Sequence, residues 1–312
     1  MITERQRQQR VEGIGASEVG AILGLDPFRS AYDLWALKTG KCEESENREE
    51  SEAVKIGNLI EPTVAALAEE RLGVKLVKPT ATYKHPNGIM FANLDRQMRR
   101  AERGALPVEL KSTGIVDGWG EDGSDVVPDR VLLQVTAQMM CSGATAAKVA
   151  RLLGRFGLSF SMYHVNLDAD LAQTIDERVC QFWEKNVQRD IPPENSFPSV
   201  GVVSHFRREP GKEVVIDDLL VAEFVRLRDA RKAAEQMEEE AKALLLAGLG
   251  DAEIGVTASG YKASFKTISS QRLDADRARD EHPEFPWDQY MRASSYRRLD
   301  VRAAKTKKEV NP

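Results

Sequence analysis

The runs "GIMFANLD" (residues 88–95) and "LPVELKST" (residues 106–113) decide how this chain folds. Both read as short strands, and the Arg/Gly-rich stretch between them reads as a turn. Alternate residues of a strand share a face, so Glu109 and Lys111 project together while Leu110 turns the other way, toward a core. A hairpin brings Asp95, at the end of the first run, beside Glu109. Alone, a Glu-x-Lys on an exposed strand is usually a solvated ion pair contributing about 0 to 1 kcal/mol. With a second carboxylate it becomes a candidate site. Carboxylate oxygens are hard ligands suited to Mg2+, which keeps several of its waters. An ammonium beside such a water favours its hydroxide and the charge of a phosphorane-like transition state. That is the chemistry of phosphodiester hydrolysis, and Asp95, Glu109 and Lys111 are the catalytic candidates.

Around this hairpin the chain alternates helical and strand-like patterns. Residues 16–40 read as two short helices around the break "LDPFRS". Apolar residues recur at helical spacing from Val54 to Leu72, and this helix carries Glu61. "GVKLVKP" and "ATYKHP" read as further strands, "DRVLLQVTAQMM" as a helix, "LSFSMYHVNLD" as a strand and 168–189 as a helix. The order implies an α/β or α+β core ending near residue 200. The proline-rich "DIPPENSFPSVG" serves as a linker between a first domain, 1–200, and a C-terminal accessory region, 201–312. That region carries a long charged helix over 217–247 and short strand-like runs. Leu220, Phe224, Leu227, Ala234, Met237, Ala241 and Leu244 form a near-heptad seam on the helix.

Composition narrows the function classes. The net charge of -5 argues against a uniformly basic surface but leaves room for a local basic groove. No run approaches the roughly 18 apolar residues of a membrane helix, and the N-terminus has no apolar signal core, so a soluble, cytoplasmic protein is expected. Three widely spaced cysteines and four scattered histidines suit neither a disulfide framework nor a zinc site. Any metal would be held by carboxylates.

The Asp95, Glu109, Lys111 order resembles the PD-(D/E)xK nuclease core, with Leu94-Asp95 where Pro-Asp is usual. Further motifs resemble the YqaJ-like viral recombinase family, to which lambda exonuclease belongs. They are the opening "GIGASEVGAILGLDPFRSAYDLWALKTGK", "IGNLIEP" on the Glu61 helix, and "LLQVTAQMM", with Thr136 where a second glutamine is frequent. The resemblance covers about residues 10–190. It implies a restriction-endonuclease-like fold, a central mixed β-sheet flanked by helices, here with a C-terminal helical extension. It also implies a Mg2+-dependent exonuclease, with Mn2+ substituting, that digests linear duplex DNA 5′ to 3′ with two ions. The 3′ tails would pass to a single-strand annealing protein, and the enzyme would be a homo-oligomer, a ring trimer in lambda exonuclease. Carried over by position, Glu61, Asp95, Glu109 and the Leu110 carbonyl hold metal, and Arg10, Ser17 and Gln134 meet the 5′ phosphate and DNA. The bare core leaves two alternatives open: an endonuclease or single-strand nuclease, or a DNA-end-binding scaffold without turnover. Basic runs offer phosphate contacts, foremost Arg96, Arg99 and Arg100 directly after Asp95.

Overall fold

The computed structural model describes residues 11–42, 52–100, 104–154, 157–206, 208–209, 211–269 and 275–290. The chain divides into two compact units, Met1–Arg208 and Glu209–Pro312. The first begins with β1 (Ile14–Gly15), a 3-10 turn (Ala16–Glu18), α1 (Val19–Ile22), α2 (Ala31–Lys38) and α3 (Glu52–Leu72). Strands β2 (Tyr83–Lys84), β3 (Met90–Ala92), β4 (Arg96–Arg100) and β5 (Gly104–Thr113) follow. Then come α4 (Asp129–Ser142), β6 (Ala146–Gly154), β7 (Leu158–Asn166), α5 (Ala169–Gln181) and α6 (Val200–Ser204), with a π-helical segment Phe182–Val187 extending α5. The fold class is the α/β arrangement that the sequence implies.

The main sheet has the order β4-β5-β6-β7. β4 and β5 pair antiparallel as a hairpin, β5 and β6 pair parallel, and β6 and β7 pair antiparallel. A parallel pair needs a crossover, and α4 supplies it. The sheet is covered on both faces. Val108 and Leu110 of β5 pack with Val64, Ala65 and Ala68 of α3, whereas Val131, Val135 and Met139 of α4 pack with Val149 and Tyr163 on the other face. Gly143 closes α4 in the left-handed region at φ 72°, where its N–H meets the Met139 carbonyl, a conformation glycine adopts without strain.

A smaller sheet, β1-β3-β2, brings the N-terminal segment to the same end of the molecule. A Cβ at Gly13 would stand 2.5 Å from the Ile89 carbonyl, so only glycine lets β1 lie against β3. "GVKLVKP" does not form the strand its alternation suggests. Leu76 N–H and Lys75 are drawn to Glu69 of α3, and only Val77 bridges to Gln97.

The second unit contains α7 (Asp218–Leu249), the hairpin β8 (Ile254–Val256) with β9 (Lys262–Ser264), and α8 (Ala275–Glu281). Asp217 caps α7 by accepting from the Leu219 N–H.

Candidate active site

The β4–β5 register pairs Arg96 with Val108, so Asp95 and Glu109 stand opposite one another at the mouth of the hairpin. The peptide N–H of Leu110 donates to Asp95 Oδ2 at 2.9 Å, which fixes the aspartate against β5. Leu110 itself is buried in the α3-side core, as strand alternation requires.

Glu109 is 2% exposed and held at several points. Gln134 Nε2 donates to its Oε1 at 2.7 Å, Gln138 Nε2 donates to its Oε2 at 2.6 Å, and Lys111 Nζ lies 2.5 Å from Oε1. Lys111 also donates to Gln134 Oε1 at 2.9 Å. Gln134 and Gln138 lie four residues apart, hence on one face of α4. The sequence suggests a helix-surface amide for Gln138; packing instead buries it to 1% exposure against Glu109. Thr136, between the two glutamines, is turned away from them by helical geometry and is buried.

Asp95, Glu109, Leu110 and Lys111 line a cleft of about 280 Å³ with Glu61 and Asn58 of α3. An adjoining cleft of about 340 Å³ shares Glu61, Asn58 and Asp95 and adds Ser17, Glu18, Lys78, Gln134 and Gln138. Glu61 reaches this site from the opposite face of the sheet. Its Oε1 accepts from Arg96 Nη1 at 2.7 Å and Lys78 Nζ at 3.0 Å. Burial pushes the Glu61 carboxyl up, but these two hydrogen bonds and charges outweigh it and hold the pKa below the ordinary value. Asp95 goes the other way. Burial, then the charge of Glu109, raise its pKa to about 7 against the pull of Lys111 and the Leu110 N–H.

Two carboxylates that repel across a hairpin, in a cleft of oxygen donors, fit a hard divalent cation that keeps part of its water shell. Among the described residues no three Asp, Glu, His or Cys side chains converge as a ready cage. Glu61 is here ion-paired with Arg96 and Lys78 through Oε1.

Ser17 is exposed within the 3-10 turn and lines the adjoining cleft. Arg10 lies outside the described residues. Arg96 is not free on the surface: besides Glu61 it donates to the Asp95 carbonyl at 2.6 Å. Arg99 and Arg100 continue β4, and their side chains lie outside the described residues. The terminal run "YRRLDVRAAKTKK" also lies outside them.

Glu18 is the residue the sequence reading misses. It is buried, accepts from the Gly15 N–H at 2.8 Å and pairs with Lys38 at 2.6 Å and Arg29 at 3.4 Å. This ties β1, the Ser17 turn, α2 and the loop before it into one rigid wall of the cleft. The spacing Gly15 to Glu18 matches a helix-start box and was its only local signal.

The mixed sheet thus sets Asp95, at the edge of β4, beside the Glu109-x-Lys111 run of β5, the order that resembles a PD-(D/E)xK core. Residues 7–145 match the family model of the YqaJ-like viral recombinase domain. The chain is similar to the uncharacterized protein YqaJ of Bacillus subtilis, at 28% identity over 94% of this chain and 92% of that protein. Among solved structures it is similar to the alkaline exonuclease LHK-Exo of Laribacter hongkongensis, at 18% identity over 60% of this chain and 94% of that one, with a TM-score of 0.46. A phage-related exonuclease from Haemophilus somnus is similar at 13% identity over 57% of this chain and 96% of that one, with a TM-score of 0.41.

Proposed function

We propose that the protein is a Mg2+-dependent exonuclease that degrades linear double-stranded DNA, 5′ to 3′, and leaves 3′ single-stranded tails for an annealing protein. The observation that carries this reading is the meeting of Asp95, Glu109 and Lys111 around one cleft, with Glu109 clamped by Gln134 and Gln138. The match of residues 7–145 to a viral recombinase family model supports a role in DNA recombination.

Asp95, Glu109 and the Leu110 carbonyl would hold the cation, with Glu61 joining for a second ion. A bound divalent ion supplies Lewis acidity toward the scissile phosphate and a more acidic water. The chain's own groups do the rest. Gln134 and Gln138 keep Glu109 in one rotamer, so its oxygens need no reorganisation when substrate arrives. Lys111, 20% exposed at its side chain, holds its ammonium at the cleft and can turn from Glu109 toward the attacking water or the developing phosphate charge. Ser17, with Arg10 upstream, would receive the terminal 5′ phosphate through a hydroxyl and a bidentate guanidinium.

The test is digestion of end-labelled linear duplex and closed circular duplex, each with Mg2+ or EDTA. Mg2+-dependent loss of label from linear ends, with circles intact, is the expected result. Cutting of circles would assign an endonuclease instead, and metal-independent binding without cleavage would assign an end-binding scaffold.

A further inference from the structure

α7 runs 32 residues, about 48 Å at 1.5 Å per residue, and none of them is buried. Leu220, Leu227, Met237 and Leu244 of its seam are each more than half exposed, and Phe224 is 42% exposed. Most helical stability comes from packing an apolar face, so this stripe calls for a partner.

The charges say which partner. Phe224, Arg231, Glu238 and Leu245 step along one edge of the seam at intervals of seven residues. The two inner positions break the apolar series with charges of opposite sign. In a parallel pair of these helices, Arg231 would face its own copy and so would Glu238, burying like charges. In an antiparallel pair centred between Ala234 and Glu235, Arg231 faces Glu238 twice and Phe224 faces Leu245 twice. The flanks obey the same symmetry. Arg226, Arg228, Arg231 and Lys232, with Asp229 as the only acid among them, precede the centre, and Glu235, Glu238, Glu239 and Glu240 follow it. Ala230, Ala233 and Ala234 at the middle allow close approach. A charged pair at such positions costs stability but fixes orientation and register.

We propose that Asp218–Leu249 is a self-association element that pairs antiparallel with the same helix of a second copy of this chain. The proposal does not depend on the catalytic reading, because it rests on the second unit alone.

Charge inversion in the full-length chain, followed by sedimentation velocity over a concentration series, tests it. Arg231→Glu alone and Glu238→Arg alone should each weaken assembly at least about tenfold in Kd, since each sets like charges against one another twice. The double variant Arg231→Glu/Glu238→Arg should restore it, and so should an equimolar mixture of the two single variants. Restoration by the double variant separates pairing from mere helix stability, because the contact of Arg231 with Glu235 on its own helix is not restored. Orientation is read by disulfide cross-linking of Phe224→Cys/Leu245→Cys in a Cys180→Ser background, Cys42 and Cys141 being buried. Linkage of 224 to 245 between copies is expected. Assembly indifferent to both single inversions, a double variant that fails to recover, or cross-links joining 224 to 224 would overturn the proposal.

Discussion

Replacing Gln138 by Met removes one amide donor from Glu109 while keeping the length and much of the volume of the side chain. The lost contact is a 2.6 Å hydrogen bond to a buried carboxylate, and bonds to charged groups contribute about 2 kcal/mol. Stability should nevertheless hardly move. Gln138 Oε1 is buried without a hydrogen-bond partner among the described residues, and removing that oxygen relieves a desolvation cost of about 1 to 2 kcal/mol. The net change in unfolding free energy should therefore stay within about 1 kcal/mol. Catalysis has no such compensation, because Glu109 Oε2 is left to choose its own orientation. If the full 2 kcal/mol is lost from the transition state, kcat on linear duplex falls about 30-fold. The assay pairs initial rates at saturating Mg2+ with urea midpoints for wild type and Gln138→Met. A rate within threefold of wild type would refute the positioning role; a rate loss matched by a large drop in urea midpoint would show that the glutamine serves only the fold.

Asp95→Ala, Glu109→Ala and Lys111→Ala should each abolish cleavage in a gel assay while circular dichroism and DNA binding in EDTA stay near wild type; normal turnover by any one removes its assigned role. Asp95→Asn should stabilise the metal-free protein. Burial and Glu109 raise the folded-state pKa of Asp95 to about 7, so its stability contribution is fully present below the unfolded value and is lost as pH rises toward 7. The Asn variant's advantage in EDTA should therefore grow between pH 4 and about 7 and level off near 2 to 4 kcal/mol at most, and urea unfolding with an equal advantage at pH 5 and pH 8 would contradict it. Arg10→Ala should slow digestion of 5′-phosphorylated ends more than 5′-hydroxyl ends, whereas equal loss on both would show that Arg10 does not read the phosphate.

The period-two alternation of "LPVELKST" made the core of this site readable, because Val108 and Leu110 had to go one way and Glu109 and Lys111 the other. The β4–β5 pairing that sets Asp95 across from Glu109 joins two strand-like runs close together in sequence. Gln138 was not readable in the same way. α4 buries Val131, Leu133, Val135, Thr136, Ala137, Gln138, Met139 and Cys141, covering nearly all its faces, so no local pattern marks one amide as inward. Glu18 is hidden for a related reason: its partner Lys38 lies twenty residues away, and only the folding of α2 against the 3-10 turn brings them together. Glu61 and Arg96 show the same limit. Each was identifiable as a charged residue near the site, yet the pairing of α3 with β4 through them is a fact of tertiary structure.

Strand β5 carries the core on one side and the chemistry on the other, in strict alternation. A shift of one residue in its pairing would drive Glu109 and Lys111 into the leucines and valines beneath α3 and turn Val108 and Leu110 into the cleft. There is thus no one-residue slip of this hairpin that keeps both carboxylates in the cleft, so any cleavage by the molecule reports on the alignment of its own central sheet. Turnover per molecule then serves as a built-in audit of this register, and a preparation containing one-residue slips should divide into competent and silent molecules rather than a graded population.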